Sequence, residues 1–235
     1  VTELHPFYRR FRDKRAVWED AVRCLMPMFR DERVEYHGPY FDFPPRNVVP
    51  KPLQKPHPPL WVACSQLETI EMAGRRGMGA LGFQLVSAEA AEAWVSAYYN
   101  SFTKRRELLC DYQPNPNIAV VCGFMCCPTD EEARARADGW TFFQFALGYY
   151  SSHGPIDPGT VNLWDEYQAW RQTPKGAAKV AAGGALIGSP ETLRRRLRRF
   201  EASNVDQIIL LNQAGKNAHE DIMDSLKLFA AEVMP

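Results

Sequence analysis

The stretch LWVACSQLETIEMAGRRG, Leu60 to Gly77, changes its hydrophobic period part-way along. Leu60 to Cys64 is a short apolar run of strand length, set off upstream by Pro58-Pro59. Ser65-Gln66-Leu67-Glu68 then has the Ser-x-x-Glu spacing in which a hydroxyl and a carboxylate satisfy the first N–H groups of a helix. The helix is expected to run to about Arg76, with Gly77 closing it. A strand passing directly into a helix is the repeating unit of α/β folds, so the question becomes how often it recurs.

It recurs downstream. Met78 to Phe83 reads as a second strand of small residues, followed by a helix from about Ser87 to Leu109 with Ala91, Trp94, Val95, Tyr98 and Phe102 on one face. Ile118 to Met125 is a third strand, and Thr129-Asp130-Glu131-Glu132 repeats the capping spacing before a helix carrying Ala133, Ala137, Trp140 and Phe143. Ser189-Pro190-Glu191 supplies an N-cap, a first-turn proline and an early acid for a helix with Leu193, Leu197 and Phe200 on its inner side. Val205 to Leu211 is the fourth strand, its continuous apolar run predicting burial on both faces. The last helix runs from about Ala218 to Val233 with Ile222, Leu226 and Phe229 inward. Such alternation predicts parallel strands joined by right-handed crossovers, in a doubly wound sheet or a barrel.

Two stretches break the alternation. Upstream, Pro6 to Phe29 spaces Phe7, Phe11, Trp18, Val22 and Leu25 as an amphipathic helix, and Val34 to Pro59 is so rich in proline that it is expected to be an extended excursion with turns. Between Gly148 and Gly188, the breakers Gly154-Pro155, Asp157-Pro158-Gly159, Thr173-Pro174 and Gly183-Gly184 predict a long irregular, lid-like insertion with a short helix around Leu163 to Arg171.

A chain of 235 residues with 46% hydrophobic residues is long enough to bury a core, and one domain over residues 1–235 is expected. A formal net charge of zero argues against nucleic acid or an anionic membrane as partner and leaves small molecules or protein subunits. Cys24, Cys64, Cys110, Cys122, Cys126 and Cys127 show no Cys-x-x-Cys spacing and no nearby His pair, so reduced thiols and no metal site are expected. With no leader and no apolar run near the ~20 residues of a membrane span, a soluble cytoplasmic protein is expected. Val1 in place of an initiator Met points to residues upstream.

Some features invite a function and are better read as structure. Gly74, Gly77, Gly79 and Gly82 run from helix to strand, the reverse of a dinucleotide-binding loop. The run Arg194, Arg195, Arg196, Arg198 and Arg199 is expected on the solvent side of its helix, and Cys126-Cys127 is expected to pack as small apolar side chains.

The stretch Phe41-Asp42-Phe43-Pro44-Pro45-Arg46-Asn47-Val48-Val49-Pro50-Lys51-Pro52-Leu53-Gln54-Lys55-Pro56-His57-Pro58-Pro59-Leu60-Trp61-Val62-Ala63 resembles the proline-rich entry to the fifth barrel strand of luciferase-like, flavin-dependent monooxygenases. Cys64 to Gly77 resembles that family's next helix. Gly188 to Thr192, Val205-Asp206-Gln207 and the ending from Ser225 to Pro235 resemble its eighth unit. The resemblance implies a partial (β/α)8 TIM barrel: about the last four strand–helix units with a preceding helix, lacking the N-terminal strands. Four parallel strands with open edges would pair with a second copy, as a homodimer, or with the missing half.

In that family the flavin phosphate sits at the start of the helix after strand five, and by position the matching residues are Cys64, Ser65, Gln66 and Thr69. Unsatisfied N–H groups at a helix start favour an anion on independent grounds. The insertion corresponds to a segment that folds over the flavin, where Tyr149, Tyr150, His153 and Trp164 would suit a lid and His153 is the one candidate acid–base residue. The resemblance implies reduced FMN supplied by a flavin reductase, O2 and a small organic substrate, with a deazaflavin-dependent dehydrogenase as a variant. A truncated, non-catalytic barrel acting as a subunit or flavin-binding protein is the competing expectation.

Overall fold

The computed structural model describes residues 13–82, 88–104, 107–153, 156–157, 159–182 and 184–234. Phe7 and Phe11 of the first helix, Phe83, Ser87, Gly154-Pro155, Pro158, Gly183 and Pro235 lie outside the described residues. The chain divides into two compact units, one of Val1–Leu81 and Ala97–Asn117, the other of Gly82–Ser96 and Ile118–Pro235.

The first unit opens with α1 (Lys14–Arg30), then β1 (Arg33–His37), β2 (Asp42–Asn47), β3 (Trp61–Cys64), α2 (Leu67–Arg75) and β4 (Gly79–Gly82). The expected excursion over Val34 to Pro59 is regular in its first half: β1 and β2 form an antiparallel hairpin, with Pro44 and Pro45 inside β2. The prolines are tolerated because among the described residues this sheet has two strands, both at its edges, so a missing N–H costs no central ladder bond. Asp20 of α1 ties the hairpin down, accepting from the Tyr36 hydroxyl at 2.6 Å and from the N–H groups of Tyr40 and Phe41 at 3.0 and 3.2 Å. Lys51 donates to the carbonyl oxygen of Met28 at 2.8 Å, closing the end of α1. Beyond the hairpin, buried His57 accepts the Gln113 N–H on Nε2 at 2.9 Å while Nδ1 lies 2.7 Å from the Pro58 carbonyl oxygen.

The Ser65–Glu68 capping box does not form. Gln66 is the N-cap of α2, one residue later, and makes no side-chain cap hydrogen bond. At the other end Gly77 takes φ of +68°, a left-handed conformation that ends the helix at little cost only for glycine.

In the second unit β5 (Ile118–Cys126) is buried along its whole length. Its first half pairs in parallel with β7 (Gln207–Leu211), Ala119 to Gly123 against Gln207 to Leu211, and its last three residues pair in parallel with β6 (Leu186–Gly188). The Asp206 carboxylate accepts the Ile118 N–H at 2.8 Å and fixes the start of this register. β7 itself is less covered than its apolar sequence led us to expect: Gln207 and Ile209 are exposed and Ile208, Leu210 and Leu211 half-buried. The apolar run reported a demand for burial, which one strand neighbour, β5, meets only in part.

Helices complete this unit. The third helix, α3 (Ala88–Lys104), which belongs to this unit up to Ser96 and to the first from Ala97, buries Ala91, Trp94, Val95 and Tyr98 as its periodicity predicts. The helix expected after Thr129 is two, α4 (Asp130–Arg136) and α5 (Asp138–His153), broken at Ala137, with Thr129 capping α4 through a 3.1 Å bond from the Glu132 N–H. The irregular insertion is also largely helical: α5 reaches His153, and α6 (Leu163–Arg171) and α7 (Pro174–Ala182) follow. Thr173-Pro174 marks the joint between α6 and α7, and Pro174 occupies a first helical position where its missing N–H costs nothing. α8 (Pro190–Ala202), capped by Ser189, and α9 (His219–Glu232) end the chain.

One arginine departs from the expected solvent face. Arg196 of α8 is half-buried and donates to the carbonyl oxygens of Gly184, Ala185 and Ile187 at 3.0, 3.2 and 3.1 Å, holding the approach to β6. The six cysteines are free thiols, five buried and Cys110 half-buried. Burial pushes the thiols of Cys64 and Cys122 up to about 12 and those of Cys126 and Cys127 up to about 11, so they are neutral at physiological pH.

Two glycines give predictions of opposite sign. A Cβ on Gly123 would lie 2.1 Å from the ring of Trp140, which is itself buried, so Gly123→Ala is expected to lose ~1–3 kcal/mol in urea unfolding. A Cβ on Gly148, inside α5, meets nothing within 4 Å, so Gly148→Ala is expected to gain ~0.5–1 kcal/mol in the same assay. Equal stability of the two variants would contradict this packing. For the thiols, a disulfide reagent at neutral pH should label Cys110 first and reach Cys64, Cys122, Cys126 and Cys127 only on unfolding; rapid labelling of all in the native state would contradict the burial described.

Candidate functional site

The strand-to-helix junction at the end of β3 brings three of the four expected phosphate residues to one surface. Ser65 and Gln66 are exposed between β3 and α2, and Thr69 is half-buried in the first turn of α2. The Thr69 and Ile70 N–H groups both donate to the Gln66 carbonyl oxygen, at 3.0 and 3.2 Å, so from Thr69 only the hydroxyl remains for a ligand. The N–H groups of Leu67 and Glu68 precede the first intrahelical bond and have no acceptor among the described residues. With no side chain capping them, these donors and the positive end of the helix dipole are left for solvent or for an anion.

Cys64 stands apart from the other three. It is fully buried, and its thiol donates to the Val62 carbonyl oxygen at 3.2 Å. It contributes packing beneath the junction, and any role toward a ligand falls to its backbone. Glu68 puts a negative charge in the same turn, which by itself would repel phosphate. Arg15 lies 3.3 Å from that carboxylate and offsets the charge; both side chains are largely exposed, so the pair adds little stability. The donor set of exposed hydroxyl, amide and backbone N–H groups fits a phosphate bound by hydrogen bonds and helix dipole.

His153, the candidate acid–base residue, lies in the other compact unit, at the last position of α5. It is exposed, its ring stacked on Tyr149 with centroids 4.0 Å apart and planes 16° apart, and Nδ1 is 2.9 Å from the Tyr149 carbonyl oxygen. This leaves Nε2 without a hydrogen-bond partner among the described residues. Of the other aromatic residues expected in a lid, Trp164 packs edge-on against Phe142 and carries Lys216 3.8 Å above its ring, while Tyr150 is exposed. Sequence reasoning missed the ring cluster that α5 and α6 build from Phe142, Phe145, Tyr167 and Trp170. Its signal was present, as Phe145 and Tyr149 one turn apart on α5 and Tyr167 and Trp170 three residues apart on α6. Among the described residues no group of His, Cys, Asp or Glu is arranged to hold a metal ion, and no helix is long and apolar enough to cross a membrane.

Comparison with known proteins bears on the family and the fold. The chain is 25% identical over 205 residues to the oxygenase component of a flavin-dependent trigonelline monooxygenase from Acinetobacter baylyi, covering 86% of this chain and 54% of that protein. It thus spans about half the length of that relative. Among solved structures, the monooxygenase RslO1 from Streptomyces bottropensis superposes with a TM-score of 0.70 at 20% identity, over 99% of this chain and 64% of that one. The coenzyme F420-dependent tetrahydromethanopterin reductase from Methanopyrus kandleri superposes with a TM-score of 0.62 at 16% identity, over 92% of this chain and 63% of that one. The strand–helix order matches a partial barrel of this kind. A family model for luciferase-like monooxygenases matches residues 2–207, most of the chain, and the chain belongs to that family.

Proposed function

We propose that this chain carries the cofactor-phosphate site of a flavin-dependent monooxygenase that uses reduced FMN and O2 on a small organic substrate. The observation that carries the reading is the uncapped start of α2, with Ser65 and Gln66 exposed beside N–H groups that have no acceptor among the described residues, at the end of a family-matched strand. In this reading the Ser65 hydroxyl, the Thr69 hydroxyl and the N–H groups of Leu67 and Glu68 bind the phosphate, and Gln66 orients it from the cap position. Cys64 supports the turn from below with its buried thiol. Reduced flavin, when bound, supplies the electrons that activate oxygen. His153 remains the candidate for proton transfer, through its Nε2.

A relative named as an oxygenase component supports a separate flavin reductase as partner. A cytoplasmic homodimer fits the free thiols and the half-covered strand β7. The similarity to an F420-dependent reductase favours a second reading, a deazaflavin-dependent dehydrogenase using the same anchoring site.

The test is titration with oxidised FMN followed by flavin fluorescence, on the chain as given and on Ser65→Asp. An acid just ahead of a helix favours its dipole, so the substitution keeps α2 intact while repelling phosphate. Saturable binding, weakened at least about tenfold by Ser65→Asp, is the expected result. Equal binding by both proteins would sink the phosphate assignment, and no binding at high micromolar FMN would favour a non-catalytic subunit.

A further inference from the structure

The helices α5, α6 and α7 enclose an open-mouthed cavity of about 680 Å³. That is within the range of small-molecule sites. Its aromatic wall is built by Phe145, Tyr149 and Trp170, with Phe145 5.2 Å from Trp170 and 5.7 Å from Tyr149 between ring centroids. Gly148 lies between the two α5 aromatics along the chain, and an added Cβ there would meet nothing within 4 Å. A glycine inside a helix costs ~0.5–1 kcal/mol against alanine. Here no positive φ and no close approach accounts for it. The room it leaves opens into the cavity, which is the explanation we adopt.

The remaining wall is charged. Lys175 and Lys179 stand one turn apart on α7, and among the described residues neither has an ion-pair or hydrogen-bond partner for its ammonium. Like charges four residues apart on a helix repel one another, and an anion between them removes that cost. Among the described lining residues Glu166 is the one carboxylate, so their charge is net positive but not suited to a polyanion. Flat aromatic faces beside two ammonium groups select for a flat aromatic anion, since ring stacking and charge pairing act on different ends of one molecule.

We infer that this cavity binds a planar aromatic carboxylate of about one to three rings, with its ring against Phe145, Tyr149 and Trp170 and its carboxylate at Lys175 and Lys179. The site lies within the second compact unit and takes nothing from the junction at Ser65, so its test is separate from that of the phosphate reading; His153, the proton-transfer candidate named above, also lines it.

The test uses 2-naphthoate and its neutral analogue 2-naphthalenemethanol as probes, with binding read by ligand-observed NMR and calorimetry. Three proteins are compared: the chain as given, the double variant Lys175→Gln/Lys179→Gln, and Gly148→Leu, which fills the cavity where no atom stands in the way. Saturable binding of naphthoate is expected, weakened at least about fivefold in the double variant, with the alcohol unaffected by that change. Gly148→Leu should abolish binding of both probes while its melting temperature stays level or rises, which separates a filled cavity from a damaged fold. The inference is overturned if naphthoate fails to bind at about 1 mM, if the double variant binds it as well as the parent, or if Gly148→Leu leaves binding intact. A dimer that Gly148→Leu splits would also overturn it, in favour of contact between copies of the chain.

Discussion

The contact between Gly123 and Trp140 sets the terms for the second unit. Every residue of β5 is buried, so both faces of the strand have to meet other groups closely, and at Gly123 the covering group is an indole ring that a single methyl would displace. Trp140 in turn belongs to a cluster with Met125, Cys127, Ala133, Ile187 and Ile222, which joins β5, β6, α4, α5 and α9. Interiors packed this tightly fix positions to fractions of an ångström. Hydrogen bonds then lock what the packing places: the Asp130 carboxylate accepts from the Ser189 N–H and the Thr192 hydroxyl, and Ser225 accepts the Cys126 N–H at 2.7 Å.

The helical insertion depends on that arrangement. Asp138, at the start of α5, accepts a 2.6 Å bond from Tyr167 and pairs with Arg171 at 3.2 Å, so α6 is held to α5 by one carboxylate. Burial and the bond to Asp138 raise the Tyr167 pKa, keeping its hydroxyl a donor at any ordinary pH. Around this bond the aromatic rings of α5 and α6 pack among themselves, at the cost of leaving an open cavity beside Gly148.

Much of this was legible in the sequence, and the failures have physical causes. Strands at Trp61, Ile118 and Gln207 and the capped helices at Thr129 and Ser189 followed from local period and capping chemistry, which act within a few residues. The capping box at Ser65 failed because the helix began one residue late, a shift that spacing alone does not resolve. The hairpin of β1 and β2 was hidden because prolines mask strand patterning, and α5 to α7 were hidden because Gly and Pro at helix joints look the same as Gly and Pro in loops. Arg196 was placed by periodicity on the outside, whereas a long side chain can reach back to buried carbonyl groups. The proposed phosphate junction came only from family resemblance; the cavity of the insertion needs residues from three helices and no local pattern reports it.

The two sites make different demands on a ligand. The start of α2 offers hydrogen-bond donors and a dipole, with Arg15 offsetting Glu68, and in the reading proposed above it would recognise a phosphate without regard to what it is attached to. If that is how this family member holds its cofactor, the phosphate must carry a measurable share of the binding energy. Calorimetric titration of the chain with FMN and with riboflavin, which share the ring system and differ in the phosphate, tests this directly. The account predicts FMN bound at least about tenfold more tightly than riboflavin. Equal affinity for the two, or tighter binding of riboflavin, would contradict it.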